Sequence, residues 1–278
     1  MTATPDILLG LIGDNIAASR SPRLHELAGE QNGKLVHYNR LVPHELGESW
    51  DEIFDGLAAK GYRGTNVTYP YKEKVVAKLT IDDPLVRAIG AVNTAIFEAG
   101  GPKGHNTDHT GFIAAYSRVR GEANPGVTLM IGTGGVGRAV AFGLLALGAP
   151  EIRLVDLDKS KAEALAADLR GAGKPTEITV WDSAEEAAQG ASGLINCTPV
   201  GMVGKGGTPL AAAFMAGSTW AFDAVYTPVD TQFLTEASAN GLDIISGWEL
   251  FFYQGVHAWK LFTGLPLDED KLRQDLLS

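Results

Sequence analysis

Short hydrophobic runs alternate with helical patterns along most of the chain. In the first part, these patterns predict strands and helices at the following positions: strands at 7–12, 36–41, 63–67 and 91–94, and helices after Ser21, Pro43 and Pro70. A second series follows Gly126, with strands at 127–131 and 152–155 and near 178, 194, 222 and 244, and helices at 136–147 and 159–169. This alternation is typical of a parallel sheet covered by helices on both faces, so the predicted fold class is α/β.

The two series predict two domains. A length of 278 residues agrees, because a domain of this kind averages ~150 residues. The turn-rich stretch 100–106 marks the first boundary, and a helix over 108–120 leads from it into the second series. The tail 247–278 has the pattern of two helices with no strand after them, so it is able to pack on either domain.

Composition and charge exclude several classes of protein. Hydrophobic residues make up 45% and charged residues 20%, which is a globular composition and not a disordered or collagen-like one. The net charge is −10 and no Lys/Arg-rich block occurs, which argues against a nucleic-acid partner. The longest apolar stretch, 139–150, is far shorter than the ~20 residues that span a bilayer. With no signal-peptide pattern and a single cysteine, Cys197, we expect a cytoplasmic protein without a membrane partner.

A glycine-rich loop joins the predicted strand VTLMI to a helix. Its residues Gly132, Gly134 and Gly137 form the pattern G-x-G-x-x-G, with Gly135 and Val136 between them. In a dinucleotide-binding loop the first glycine makes the turn, the second admits the pyrophosphate, and the third lets the helix pack on the strand. The backbone N–H groups of the helix N-terminus then hold the phosphates. The alternative is an ordinary glycine turn.

An acidic residue follows the next strand. Asp156 lies 24 residues after the first glycine, close to the ~20-residue offset at which an acid receives the adenosine ribose hydroxyls. With Asp158 nearby, a 2′-phosphate would meet like charge, so the sequence predicts NAD over NADP. Two alternatives stay open: Lys159, Lys161 or Arg153 turns toward a phosphate, or Asp156 merely caps the following helix.

In the first domain, polar residues cluster where strands end. Ser19 and Ser21 flank the start of a predicted helix, where two hydroxyls suit a small carboxylate. Ser21 is also a natural N-cap, and capping alone would explain it. Lys72 is predicted in the first turn of the helix after Pro70, where the helix dipole favours the neutral amine and hence a general base, and Lys74 acts in the same sense. The alternative is a solvated surface lysine.

Other polar residues accompany them. Asn93 ends the run 90–94, and Asp108 is a natural N-cap for the helix over 108–120. His105 and His109 are four residues apart, but no third ligand accompanies them, so we predict no metal site.

Taken in order, these segments resemble the shikimate dehydrogenase family, including its quinate/shikimate dehydrogenase branch, over nearly the whole chain. The matching segments are S-x-S-P at 19–22 with His25, N-V-T-x-P-x-K within 64–72, G-A-V-N-T at 90–94, G-x-N-T-D at 104–108, N-x-T-P-x-G-M at 196–202, D-x-x-Y-x-P within 222–228 and the helical glutamine Gln254.

The resemblance implies an N-terminal α/β substrate domain, 1–106, completed by 247–278, and a Rossmann-type doubly wound dinucleotide-binding domain, 107–246. It implies that Lys72 and Asp108 are the catalytic pair. Substrate-binding residues would be Ser19 and Ser21, which hold the carboxylate, and Thr68, Asn93, Tyr226 and Gln254. Cofactor-binding residues would be the glycine loop, Asp156, Thr198 and Gly247.

The sequence departs from the family pattern at two places. NADP-using members have an asparagine-arginine-serine/threonine cluster after the second strand, whereas this chain has Asp156-Leu157-Asp158, which favours NAD and the quinate/shikimate branch. The helical segment 247–254 is bulkier than the glycine-rich version of many members, which leaves the choice of substrate open.

The expected activity is therefore NAD-dependent oxidation of shikimate, and of quinate as well, by a monomer or homodimer. One alternative is a dehydrogenase for an amino-substituted cyclohexene acid. Another is a non-catalytic dinucleotide- or metabolite-sensing module, against which the presence of both Lys72 and Asp108 weighs.

Overall fold

A computed structural model describes residues 4–277, which divide into two compact units. Unit 1 runs to Thr107 and resumes at Gln254, and unit 2 is Asp108–Tyr253. The sequence placed these divisions at 106/107 and 246/247, so the second division lies seven residues later than predicted. Residues 1–3 and 278, which the predicted domains include, lie outside the described part.

Unit 1 is built on a five-stranded sheet. Its elements up to the boundary are β1 (Ile7–Ile12), α1 (Ser21–Gln31), β2 (Val36–Leu41), α2 (Pro43–Leu46), α3 (Trp50–Leu57), β3 (Gly64–Val67), α4 (Pro84–Ile89), β4 (Thr94–Glu98) and β5 (Gly101–His105), with a 3-10 helix at Lys74–Lys78. The strand order is β2-β1-β3-β4-β5.

Unit 2 contains a six-stranded sheet. The remaining elements of the chain are α5 (Thr107–Arg120), β6 (Val127–Ile131), α6 (Gly135–Ala146), β7 (Glu151–Val155), α7 (Lys159–Gly171), β8 (Glu177–Val180), α8 (Ala184–Ala188), β9 (Gly193–Asn196), β10 (Trp220–Asp223), α9 (Gln232–Ala239), β11 (Asp243–Ile245), α10 (Gly247–Thr263) and α11 (Glu269–Leu277).

The two sheets differ in strand direction. In unit 2 all pairs are parallel, in the order β11-β10-β9-β6-β7-β8, which is a doubly wound sheet with its switch point between β6 and β9. In unit 1, β1, β2 and β3 are parallel, but β4 runs antiparallel to β3 and β5. The predicted parallel pairing is therefore found for β1, β2 and β3 and is wrong for β4 and β5.

A hairpin accounts for the wrong prediction. The strand expected at 91–94 begins at Thr94, and the stretch 100–106, expected to be a boundary turn, forms β5. Glu98 pairs with Gly101, so two residues make the turn, and Gly101 has a φ of 106°, a conformation that glycine adopts without strain. β5, with the sequence GPKGH, pairs through its backbone and carries no apolar pattern to reveal it.

Helices cover both faces of the sheet in unit 1. On one face, Leu9 and Leu11 pack in a buried cluster with Trp259 and Phe262 of α10. On the other face, α3 contributes Phe54 to a second cluster. The C-terminal part of α10 thus completes the core of unit 1. No helix among residues 4–277 is long and apolar enough to cross a bilayer.

Candidate functional site

The glycine loop of unit 2 lies at the switch point of the sheet. Gly132 follows β6 with a φ of 96°, and a Cβ there would lie 2.8 Å from the backbone nitrogen of Thr198, which follows β9. At Gly137 a Cβ would lie 2.2 Å from the carbonyl oxygen of Gly132, so α6 packs against the turn at van der Waals distance. At Gly134 a Cβ would meet nothing within 4 Å. Two of the glycines are thus required by close packing, and the third borders open space.

The N-terminus of α6 is suited to an anion. Gly134 is its N-cap, and no side chain caps the helix. Its first N–H groups and the positive end of its dipole face the space beside Gly134. These features fit the pyrophosphate of a dinucleotide.

Asp156 is fixed to this loop. One carboxylate oxygen accepts hydrogen bonds from the backbone N–H and the hydroxyl of Thr133, both at 2.7 Å, and the other accepts from the N–H of Asp158 at 2.9 Å. Asp158, and not Asp156, caps α7, because its carboxylate accepts from the N–H of Ser160. The alternative of a purely capping role for Asp156 is therefore wrong.

Two of the cations near this strand end have other partners. The Arg153 guanidinium donates to Glu151 at 2.8 Å and to two backbone carbonyls, and it lies over the ring of Trp181. Lys159 donates to Asp182 at 2.6 Å. Both side chains are therefore bound to other residues of unit 2. Leu157, next to Asp156, is fully exposed.

Two further loops follow β9 and β10. The side-chain oxygen of Asn196 accepts from the N–H and the hydroxyl of Thr198, at 2.9 and 2.7 Å. Tyr226 stacks on Phe251 of α10 with ring centroids 5.2 Å apart and an interplanar angle of 16°. A Cβ at Gly247 would lie 2.4 Å from the carbonyl oxygen of Val225, so the start of α10 contacts the turn that carries Tyr226.

Asp108 is the first residue of unit 2, and its side chain is buried. It lies in the first turn of α5, which begins at Thr107. Asp108 is therefore inside the helix, and its predicted N-cap position is wrong.

In unit 1, Ser19 and Ser21 form a buried pair of hydroxyls. The Ser19 hydroxyl donates to that of Ser21 at 3.2 Å and accepts from the Ser21 N–H at 3.3 Å. The prediction that Ser21 caps the helix is wrong: α1 begins at Ser21, its N-cap is Arg20, and no side chain makes a cap bond. The hydroxyls are thus at the positive end of α1 but do not serve as its cap.

Lys72 occupies a turn after β3. The predicted position in the first turn of a helix is wrong, because only the 3-10 helix Lys74–Lys78 forms there. A 3-10 helix of five residues gives a weaker dipole than the α-helix on which the prediction rested. The carbonyl oxygen of Lys72 accepts from the N–H of Val92 at 2.8 Å, which places this turn beside Asn93. Thr68 begins the same loop. Its methyl group packs closely on Gly13, since a Cβ at Gly13 would lie 2.3 Å from that methyl carbon.

Asn93 is buried. It lies at the same edge of the sheet as the Lys72 turn, because β4, which follows Asn93, starts beside the end of the antiparallel strand β3. Its side-chain oxygen accepts from the N–H of Thr107 at 2.7 Å and from the hydroxyl of Thr94 at 3.0 Å. Its amide nitrogen donates to the Thr107 hydroxyl at 2.9 Å, which leaves a second N–H for a ligand hydroxyl.

Gln254 begins the part of α10 that belongs to unit 1. At the next residue, Gly255, a Cβ would lie 2.5 Å from Leu24 of α1. This turn of α10 therefore packs on the helix that carries Ser21.

Comparison with known proteins places this arrangement in a family. Residues 11–95 match the model of the shikimate dehydrogenase substrate binding domain. A quinate/shikimate dehydrogenase (NAD(+)) of Corynebacterium efficiens is 37% identical over 278 residues, which cover 98% of this chain and 98% of that protein. The chain belongs to the shikimate dehydrogenase family.

Solved structures agree. Quinate dehydrogenase from Corynebacterium glutamicum in complex with NAD has a TM-score of 0.90 and 34% identity, with 98% of each chain covered. Shikimate 5-dehydrogenase from Thermus thermophilus in complex with NADP(H) and shikimate has a TM-score of 0.84 and 31% identity, with 98% of each chain covered. The resemblance inferred from the motifs and the predicted α/β class are confirmed.

Three buried side chains of unit 1 lie behind Asn93, and the sequence analysis gave none of them a role of its own, although His25 and Asn66 belong to matching segments. Asn66 accepts from the hydroxyl of Tyr38 at 2.8 Å and donates to the carbonyl of Asn93 at 3.1 Å. His25 stacks on Tyr38, with centroids 4.7 Å apart, and burial lowers the pKa of His25 to about 4. The only sequence signal for the bond between Tyr38 and Asn66 was that each is a polar residue within a predicted strand. Among residues 4–277, no three His, Cys, Asp or Glu side chains gather as a metal site would require.

Proposed function

We propose that the chain is an NAD-dependent dehydrogenase that interconverts shikimate and 3-dehydroshikimate, and also quinate and 3-dehydroquinate. The observation that carries the proposal is the glycine loop with Asp156 fixed to it, in a chain of this family that has both Lys72 and Asp108. Some relatives are named as NAD(+)-dependent and others as NADP(+)-dependent. For this chain, the carboxylates of Asp156 and Asp158 after β7 support NAD.

In this proposal the loop from Gly132 to Gly137 holds the pyrophosphate through the N–H groups of α6. Asp156 receives the adenosine ribose hydroxyls, and Thr198 and Gly247 also contact the dinucleotide. NAD, when bound, supplies the acceptor for a hydride. The fit rests on the open space at Gly134 and on the uncapped helix N-terminus.

The substrate is held by hydroxyl and amide groups. Ser19 and Ser21 bind its carboxylate, because two hydroxyls at the start of a helix donate to an anion in a favourable dipole field. The ring hydroxyls are bound by Thr68, Asn93, Tyr226 and Gln254. For Asn93 the spare N–H supports this role.

Lys72 acts on the proton. As a neutral amine it accepts the proton of the 3-hydroxyl when the ring carbon loses its hydride, and in reverse the ammonium protonates the alkoxide that forms from the 3-ketone. Asp108 orients the ammonium.

The experiment is an absorbance assay at the reduced-nicotinamide band with NAD or NADP and with shikimate or quinate. We expect turnover with NAD and at least one of the two acids. Turnover only with NADP would overturn the cofactor assignment. If both acids are inactive while an amino-substituted cyclohexene acid is oxidised, the substrate assignment fails, and binding of NADH without any turnover would favour a sensing module. A cytoplasmic location and a monomeric or homodimeric state remain part of the proposal.

A further inference from the structure

Asp223 is a fully buried carboxylate at the end of β10 that the proposed chemistry does not use. One oxygen accepts from the N–H of Val225 at 2.9 Å and from the side-chain amide of Asn196 at 3.0 Å. The other accepts from the hydroxyl of Thr231 at 2.7 Å. Asp223 and Asn196 are paired positions on the neighbouring strands β10 and β9.

Each of these bonds fixes a different segment. Val225 directly precedes Tyr226, so its N–H bond sets the start of the turn that presents the phenol ring. Asn196 uses its oxygen to hold both the N–H and the hydroxyl of Thr198, so the amide joins Asp223 to Thr198. Thr231 caps α9 through the N–H of Leu234 and closes the far end of the Tyr226 segment.

Burying the Asp223 carboxylate costs free energy of folding, so core packing alone does not explain its presence. Burial raises the pKa of Asp223 to about 6, although the bonds from Thr231, Val225 and Asn196 act in the opposite direction. Buried ionisable groups contribute little net stability compared with well-packed apolar residues. What the carboxylate provides and an apolar side chain lacks is three accepted hydrogen bonds with defined directions.

We infer that Asp223 is a positioning residue that holds Thr198 and Tyr226 in register through its hydrogen bonds to Asn196, Val225 and Thr231. The inference rests on the proposed function, in which Thr198 contacts the cofactor and Tyr226 the substrate. Asp223 itself touches neither ligand in this account.

The test compares Asp223→Ala with Asp223→Asn and with Ile195→Ala, a buried control in the adjoining strand β9. An asparagine keeps an acceptor toward Val225 and Asn196 and donates to Thr231, so its constants should stay within about threefold of wild type. For Asp223→Ala we expect KM for shikimate to rise about tenfold and the NADH dissociation constant, measured by fluorescence, to rise about fivefold. The Ile195→Ala variant should lose stability with both constants unchanged.

Thr231→Val keeps the inference testable if the alanine variant does not fold. It removes the hydroxyl that donates to Asp223 and that caps α9, and it leaves the bonds from Val225 and Asn196 to Asp223, so KM for shikimate should rise about threefold while the NADH dissociation constant stays unchanged.

Two results would overturn the inference. One is an Asp223→Ala protein that behaves as Ile195→Ala does, with a lower melting temperature and unaltered constants. The other is an Asp223→Asn protein as impaired as the alanine variant. A wild-type protein inactive on all acids would refute the proposed function instead, and the NADH dissociation constants would still decide the role of Asp223 toward Thr198.

Discussion

The carboxylate of Asp156 accepts two hydrogen bonds from Thr133, one from its N–H and one from its hydroxyl, both at 2.7 Å. Thr133 is the second residue of the glycine loop, so the acid that follows β7 is tied to the turn that follows β6. These bonds hold the carboxylate in place without a ligand, and in the proposed function this would lower the cost of binding two ribose hydroxyls. The same negative charge opposes a 2′-phosphate.

The cofactor preference should therefore change with two substitutions at this strand end. In Asp156→Asn/Leu157→Arg the repulsion is removed and a guanidinium is supplied, so the ratio of kcat/KM for NADP to that for NAD should rise about a hundredfold. Steady-state kinetics with both cofactors measures it. Val119→Arg, which adds the same charge on the exposed face of α5, is the control and should leave the ratio unchanged. An unaltered ratio in the double variant would contradict the role of Asp156.

Substitution of two glycines of the loop by alanine should impair different properties, cofactor binding at Gly134 and stability at Gly137. A Cβ at Gly134 meets nothing within 4 Å, so Gly134→Ala should fold normally but bind NADH about tenfold more weakly, because the methyl group occupies space for the pyrophosphate. A Cβ at Gly137 would overlap the carbonyl of Gly132, so Gly137→Ala should lower the melting temperature. Calorimetry and fluorescence titration separate the two effects. Normal NADH affinity in Gly134→Ala would argue against a phosphate at that glycine.

The serine pair should act on substrate affinity. Ser19→Ala and Ser21→Ala should each raise KM for shikimate about tenfold with kcat nearly unchanged, because each removes a bond to a carboxylate that is present throughout the reaction. Ser49→Ala is the matched control: it breaks the capping box of α3 and should cost about 1 kcal/mol of stability without changing KM. If the two serine variants resemble Ser49→Ala, the serines are structural.

The strands β1 and β6 were predicted to the residue, because ILLGLI and VTLMI are apolar runs that are buried in a sheet. β5 was missed, since its pairing with β4 depends on backbone bonds and on the turn at Gly101. The Lys72 turn was misjudged because a proline marks a helix start without fixing the type of helix. The link between Asn196 and Asp223 could not be predicted, since it depends on β9 and β10 being neighbours in space.

Acid should affect the two units in opposite directions. The folded-state pKa of His25 is about 4, against 6.5 in the unfolded chain, so its contribution to stability is complete above pH 6.5 and falls by about 3 kcal/mol toward pH 4. The folded-state pKa of Asp223 is raised to about 6 from 3.8, so its contribution is complete below pH 3.8 and is lost by a similar amount as the pH rises to 6.

Chemical unfolding of two variants between pH 4 and 7 checks this. Relative to wild type, His25→Phe should become more stable as the pH falls, and Asp223→Asn should become less stable. Parallel pH profiles for both variants and wild type would show that neither group titrates as described.

The central claim is that Lys72 takes up the substrate proton. The most direct measurement is turnover of Lys72→Ala with NAD and shikimate beside its affinity for NADH. The matched lysine control is Lys74→Ala, at the first residue of the 3-10 helix that follows the Lys72 turn. We predict that kcat falls about a thousandfold in Lys72→Ala while NADH binding is unchanged, and that Lys74→Ala keeps wild-type turnover. Wild-type turnover in Lys72→Ala would contradict the account.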